Sequence, residues 1–234
     1  YGAMAEWSVA PAAQVVMLPD GIGDAEAAAL ANPAMSSMAA LRERARLVPG
    51  ETVLVNGVTG TSGRLAVRIA RRLGAARVIG VGRDPAALEA MRAEGLDAAV
   101  RIEPDGAGLK AALREVFASG VDVVVDYLWG TSAARMLASA AAVAGGRRLR
   151  FVQVGAASGA EIALPGSVLR SSGIELMGSG LGSVSVERLV AGIADAFGWA
   201  AADGFGVAFE AVPFAEFERG WAREDDKRRT VFVM

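Results

Sequence analysis

Short apolar runs that recur along the middle of the chain constrain its fold more than any other feature. They are Glu51–Val55, Arg77–Val81, Ala98–Arg101, Val121–Asp126 and Leu149–Val154, Val-rich and without sustained alternation. A strand with one wet face alternates apolar and polar residues, whereas a parallel strand covered on both faces reads as a continuous Val/Ile run. Segments with helical spacing lie between them, as at Gly63–Leu73 and Pro85–Glu94. Strand–helix units of roughly 25–30 residues imply right-handed crossovers, so the pattern predicts an α/β fold with a doubly wound parallel sheet.

The ends read differently. Ala5–Val9 and Gln14–Leu18 are expected to form strands before a turn, and an Ala-rich helix is expected from Asp24 to Leu47. After residue 184 the expectation is a helix (Val184–Ala201), a strand (Gly206–Val212), a short helix (Phe214–Trp221) and a last strand (Thr230–Val233). No internal repeat or low-complexity linker interrupts them.

Composition removes several function classes. With 53% hydrophobic residues in 234, the chain can bury a full core in one or two domains. A net charge of -2 and a pI near 5.4 leave no electrostatic footprint for nucleic acid or an anionic membrane. Mean hydropathy is +0.37, yet the apolar runs fall short of the ~20 residues that span a bilayer, which points to buried strands. Cysteine and histidine are absent, so this chain cannot supply a disulfide, a Cys/His zinc site or a His-based triad. Lys110 and Lys227 stand against twenty-two arginines, the usage of a GC-rich bacterial genome. The chain opens on Tyr1 with no basic n-region, so it is expected to start partway into a larger, cytoplasmic protein and to carry no signal peptide.

The segment that carries chemistry is Val53-Leu-Val-Asn-Gly57-Val-Thr-Gly60-Thr-Ser-Gly63-Arg-Leu-Ala-Val67. Its glycines sit directly after a strand and open a helix, the context in which such a string binds a dinucleotide. Gly60 lets the backbone approach a pyrophosphate, and Gly63 lets the helix pack tightly on the strand. The free N–H groups around Thr61 and Ser62 face the anion at the positive helix end. The competing reading is a tight turn kept for packing alone. Nineteen residues beyond Gly63, where an acid would hold a ribose diol, stand Gly82 and Arg83. A glycine leaves room for a 2′-phosphate and an adjacent guanidinium can bind it, which favours NADP(H) over NAD(H). The competing reading makes Arg83 a solvated loop residue and Asp84-Pro85 the start of the next helix.

At these residues the chain resembles the medium-chain dehydrogenase/reductase superfamily, most closely its zinc-independent quinone oxidoreductase branch. Gly57-Val-Thr-Gly60-Thr-Ser-Gly63 is similar to that superfamily's A-x-x-G-x-x-G signature. Gly2-Ala-Met-Ala-Glu6 with Leu18-Pro-Asp-Gly21 resembles the exit from its GroES-like substrate domain, and Val48-Pro-Gly50-Glu-Thr-Val-Leu-Val55 the start of its cofactor domain. Val212-Pro-Phe214 with Arg229-Thr-Val-Phe-Val233 resembles the closing helix and strand. The resemblance implies three regions: 1–34 and 196–234 from the substrate domain, and 35–195 as the dinucleotide-binding domain.

It also implies NADP(H) as cofactor. Pyrophosphate binding would fall on Gly60, Thr61, Ser62 and Gly63, and 2′-phosphate selection on Gly82 and Arg83, helped by Arg101. Ribose and nicotinamide contacts would come from Asp126, Tyr127, Gly155, Ala156, Gly178 and Ser179, with Asn32 of the Asn32-Pro33 pair lining the nicotinamide pocket. Asp126 and Tyr127 could instead only terminate a strand, and Gly178–Gly180 could be only a bend. Trp129 could wall the acceptor pocket or pack against the next helix.

Departures from the family pattern fall at Ile102, where some members place a tyrosine, and Ala87, where some place a lysine. A zinc alcohol dehydrogenase is disfavoured, since the Asn32–Ser36 helix lacks a Cys or His ligand. The implied activity is hydride transfer from NADPH to a small electron acceptor, a quinone or α,β-unsaturated carbonyl, with no nucleic-acid or membrane partner. The catalytic residue is unknown. Pairing of Glu175–Ser179 between two copies would make a homodimer. The alternative is a non-catalytic NADP(H)-binding module or truncated pseudoenzyme.

Overall fold

A computed structural model describes residues 4–103, 108–143, 145–222 and 228–234. Gly2 and Ala3 of the exit motif, and Lys227, lie outside these. Six parallel strands form one sheet: β1 (Thr52–Asn56), β2 (Arg77–Gly82), β3 (Ala98–Arg101), β4 (Val123–Asp126), β5 (Arg148–Gln153) and β6 (Gly173–Gly178), in the order β3-β2-β1-β4-β5-β6. The chain winds outward from β1 to β3 and then returns to the other side of β1. A crevice therefore opens between the carboxyl ends of β1 and β4.

Alternate strand residues feed opposite layers because successive side chains point to opposite faces. Val53 and Val55 pack beneath α1 (Asp24–Met38), α2 (Thr61–Arg72) and α7 (Val186–Asp203), against Leu30, Met38, Val67, Ile69 and Phe197. Leu54, Ile79, Val124 and Phe151 pack on the other face against α4 (Leu109–Ala118) and α5 (Gly130–Val143), through Leu113, Phe117, Met136 and Leu137. This two-sided burial is why the strands carry apolar residues at consecutive positions. The remaining helices are short: α3 (Pro85–Ala90), α6 (Gly166–Arg170) and α8 (Phe217–Trp221). No helix among the described residues is long and apolar enough to cross a membrane.

Beyond Met38 the helix continues as a π-helical stretch over Ala39–Arg44, where Ala45 N–H bonds to Ala40 O at 2.8 Å. It stops short of the expected Leu47. Arg150 of β5, 4% exposed, holds this end in place: Nη1 donates to Ala45 O (2.7 Å) and Arg46 O (3.2 Å), and Nη2 to Glu51. Arg46 takes a left-handed φ of 51°, costly for a residue with a Cβ, and the bond from Arg150 to its carbonyl fixes that backbone.

Two strands expected near the start are not present. Residues 4–23 form bends and one 3-10 turn at Ala12–Gln14, with Trp7 90% and Met17 86% exposed. An apolar run becomes a strand only when a neighbour completes its ladder, and no strand lies alongside these residues in the described structure. At the other end, β7 (Phe209–Pro213) and β8 (Arg229–Val233) make a separate two-stranded parallel sheet. Arg68 and Arg72 of α2 clamp the loop before it, their guanidiniums 4.5 Å from the Phe205 ring and 4.9 Å from the Trp199 ring.

Candidate functional site

The carboxyl ends of β2, β1, β4, β5 and β6 stand side by side, and nearly all the residues singled out from sequence lie along that edge. At ~4.8 Å between strands, the row from β2 to β6 extends roughly 19 Å, and an extended ligand could lie along it.

The Gly-rich turn joins β1 to α2. Gly57 takes φ +85° and, with Val58, donates to Val81 O at the end of β2 (2.9 and 3.1 Å). A Cβ on Gly63 would sit 2.3 Å from Gly57 O and 2.8 Å from Val58 Cα, so only glycine allows α2 this close to the turn. Gly60 differs: a Cβ there would meet only Gly57 O, at an ordinary 3.5 Å. The protein's own packing does not require Gly60. The first-turn N–H groups of Thr61, Ser62 and Gly63 have no intrahelical acceptor, and Gly60 at the N-cap offers no side chain to cover them. An anion is the partner this geometry suits.

At the tip of β2, a Cβ on Gly82 would press on Leu88 (3.1 Å) and Thr59 (3.2 Å). Arg83 is exposed, and its guanidinium has no partner among the described residues. Asp84 caps α3, accepting from Ala86 N (2.9 Å) and Ala87 N (3.2 Å). The cap and the free arginine thus coexist. Arg101 is paired in register with Gly82 on the neighbouring strand and bonds to Glu103 at 3.1 Å.

The crevice between β1 and β4 is closed at its floor by polar groups. Asn56 and Asp126, paired in register and fully buried, join through Asn56 Nδ2 and Asp126 Oδ1 at 2.7 Å. Asn56 Nδ2 also donates to Ser132 Oγ (2.9 Å). Asp126 further accepts from Leu128 N and Trp129 N (3.0 and 3.1 Å), so its carboxylate acts as a brace for the loop that follows. Burial pushes its pKa up, opposed by these three donors. The carboxylate of Asp126, expected from sequence to contact a ribose, thus stands at the floor of the crevice and also positions the loop after β4.

That loop interlocks with the one after β5. Trp129 and Gly130 both take left-handed φ, 55° and 57°. A Cβ on Gly130 would lie 2.7 Å from Ser158 O, and one on Gly155 would lie 2.6 Å from Tyr127 O. Ser158 N donates to Leu128 O (2.8 Å) and Gly155 N to Asp126 O (3.1 Å). The Trp129 ring is partly buried and packs with the α4–α5 core, as one of its two expected roles requires.

Tyr127 turns toward α1. Its hydroxyl lies 2.7 Å from Ser37 Oγ, which also lies within reach of Pro33 O (2.9 Å) and Ser62 O (3.1 Å); a Ser37 proton on either carbonyl makes the phenol the donor. Burial pushes the phenol pKa up. Three segments meet here: α1, the first turn of α2 and the end of β4. Sequence reasoning did not single out Ser37 or Asn56. A polar side chain closing the otherwise apolar β1 was the available signal for Asn56, and nothing local distinguishes Ser37. Asn32 is exposed on α1, five residues (~7.5 Å) before Ser37. At the far end of the row, Ser179 is buried with its N–H on Gln153 O (2.8 Å), Gly178 O accepts from Arg44 (2.8 Å), and Ala156 is exposed.

Compared with known proteins, residues 63–195 match the family model described as zinc-binding dehydrogenase, more than half of the chain. The chain belongs to that family. Its relatives place it on the quinone oxidoreductase-like branch of the medium-chain dehydrogenase/reductase superfamily. It is 38% identical over 222 residues to a protein of Emericella nidulans named probable NADPH-dependent quinone reductase tdiC, covering 88% of this chain and 61% of that protein. The quinone oxidoreductase of Thermus thermophilus, solved alone and with NADPH, superposes with a TM-score of 0.70 at 27% identity, over 94% of this chain and 69% of that one. An NAD-dependent alcohol dehydrogenase shares the fold, with a TM-score of 0.78 at 23% identity, over all of this chain and 66% of that one. The chain spans about three-fifths of the length of the Emericella relative.

Proposed function

We propose that this chain is the cofactor-binding part of an NADPH-dependent oxidoreductase that passes hydride to a quinone or α,β-unsaturated carbonyl without zinc. The observation that carries the reading is the glycine tip of β2 followed by an arginine without a partner among the described residues, beside a helix whose first-turn N–H groups have no intrahelical acceptor. Thr61, Ser62 and Gly63 would hold the pyrophosphate through their N–H groups, and Arg83 the 2′-phosphate. Asp126, Tyr127, Gly155, Ala156, Gly178, Ser179 and Asn32 would border the ribose and nicotinamide. The bound cofactor supplies the hydride; the protein orients the reactants and excludes water. The Tyr127 hydroxyl is hydrogen-bonded to Ser37 Oγ, so solvent would serve as proton donor. The chain contains no Cys or His to hold zinc, and activity of the whole enzyme is expected to survive chelation.

Titration with NADPH and NADH, followed by quenching of the four tryptophans, tests this reading. NADH binding at least roughly tenfold weaker is expected. Equal affinities would reduce Arg83 to a surface residue, and no binding of either would remove the reading altogether.

We further infer that residues 1–34 and 196–234 belong to a substrate domain, and that β6 pairs with β6 of a second copy. The support is that β6 bonds only to β5 among the described strands, an open parallel edge that pairing would close. Sedimentation as a monomer at micromolar concentration would refute the dimer. A second reading, NADP(H) binding without turnover, draws on the sequestered Tyr127 hydroxyl; steady-state quinone reduction by this chain would count against it.

A further inference from the structure

Between the end of the α1 helix and the segment that leads into α7 lies a groove of about 520 Å³ whose lining includes Arg42, Arg44, Arg46 and Arg188, with one carboxylate, Glu43. We propose that this groove is a second anion site, separate from the dinucleotide cleft, and that it takes a small molecule bearing a phosphate group.

Four guanidiniums from two distant segments converge in a chain whose net charge is -2. Two of these arginines offset the charge of Glu43: Arg42 Nε reaches its Oε1 (2.9 Å) and Arg188 Nη1 its Oε2 (2.7 Å). Burial works to raise its pKa, and these two bonds overcome that and hold it below the usual carboxylate range. Glu43 is thereby a rigid strut between two arginines. Arg42 also bonds to Asp195 (2.5 Å), and Arg44 is fixed to Gly178 O (2.8 Å) and Ser183 O (3.4 Å). In each of these three arginines the Nη2 group has no partner among the described residues. Arg46 is exposed and has no side-chain partner there at all. Its backbone is left-handed, and its carbonyl accepts from the buried Arg150 (3.2 Å). Asp195 is engaged by Arg42, and Glu187, next after Val186 at the start of α7, is engaged with its own N–H and the Ser185 hydroxyl.

Several guanidinium donors lining one groove, three of them tethered by hydrogen bonds and one without a partner among the described residues, suit a compact multivalent oxyanion. A lone carboxylate would satisfy one fork and leave the others unused. Nucleic acid would need an extended basic face, and the groove is a bounded one on an acidic chain.

The test is a titration of inorganic phosphate and of pyrophosphate, at constant ionic strength, into protein saturated with NADPH so that the first turn of α2 is occupied. Saturable binding is expected to persist, and to weaken at least about tenfold in Arg46→Gln/Arg188→Gln. Arg46→Gln alone keeps the test decisive if the double variant fails to fold, since Arg46 has no side-chain bond to lose. Binding that vanishes under NADPH, or that the variants leave unchanged, overturns the proposal, as does no binding at all. If NADPH itself does not bind, the same titration without it still decides through Arg46→Gln, so failure of the cofactor reading is distinguishable from failure of this one.

Discussion

Tyr127 and Asp126 stand side by side in sequence and brace the site in different ways. Replacing Tyr127 by Phe removes one half-buried hydrogen bond, but Ser37 keeps its acceptors at Pro33 O and Ser62 O and is not stranded. The expected loss is about 0.5–1.5 kcal/mol of stability, measured by denaturant unfolding, with the hydride-transfer rate of the full enzyme unchanged. A large fall in that rate would restore the phenol as proton donor. Asp126 makes a prediction in pH. Its folded pKa is raised, so relative to a non-titrating side chain it contributes stability below its unfolded pKa that is lost as pH rises through the folded value. The unfolding free energy of the native protein minus that of Asp126→Asn is therefore expected to fall as pH rises from about 3 to 7. A flat difference would mean that the carboxyl titrates normally despite its burial.

At the scale of the element, the two glycines of the β1–α2 turn separate packing from ligand approach. Gly63→Ala would force a Cβ to 2.3 Å from a backbone oxygen that cannot yield, and is expected to cost roughly 3 kcal/mol or more. Gly60→Ala meets no such obstacle. It is expected to cost under about 1 kcal/mol in thermal unfolding while weakening NADPH binding at least roughly tenfold. The turn was legible in the sequence because strand, glycines and helix start are all local signals. Asn56, Asp126 and Ser132 were not legible as one network, since the contacts join residues 70 and 76 positions apart. The missing early strands teach the reverse: Ala5–Val9 and Gln14–Leu18 have strand-like composition, but composition specifies no partner. The beginning of β1 at Thr52 and the end of α2 at Arg72 were readable to within a residue or two, because Pro49-Gly50 and Gly74 mark them.

For the whole molecule, Arg150 is the least expected residue, a buried cation in a central strand that reads as apolar. It joins β5 to the end of the α1 helix and to Glu51 before β1, and its Nε has no partner. Arg150→Met is expected to destabilise the fold by roughly 3 kcal/mol, because Glu51 and two carbonyls lose their donor. It should also loosen the Arg46 backbone, which circular dichroism melts and limited proteolysis after Arg46 would report. The doubly wound sheet itself was legible from the repeating Val-rich runs, whereas this tie was not, since it spans 105 residues.

The placing of β4 beside β1 has a consequence for how the molecule comes into being. No part of the crevice exists until the chain as far as Asp126 has been made, because its second wall is inserted next to a strand begun 70 residues earlier. Closing so long a loop is entropically slow, and the contacts that reward it arrive only with β4 and β5. A nascent chain that ends before Tyr127 would therefore display the Gly-rich turn as a loose hairpin of strand and helix, and the anion-holding geometry would appear late, in one cooperative step with the central strands.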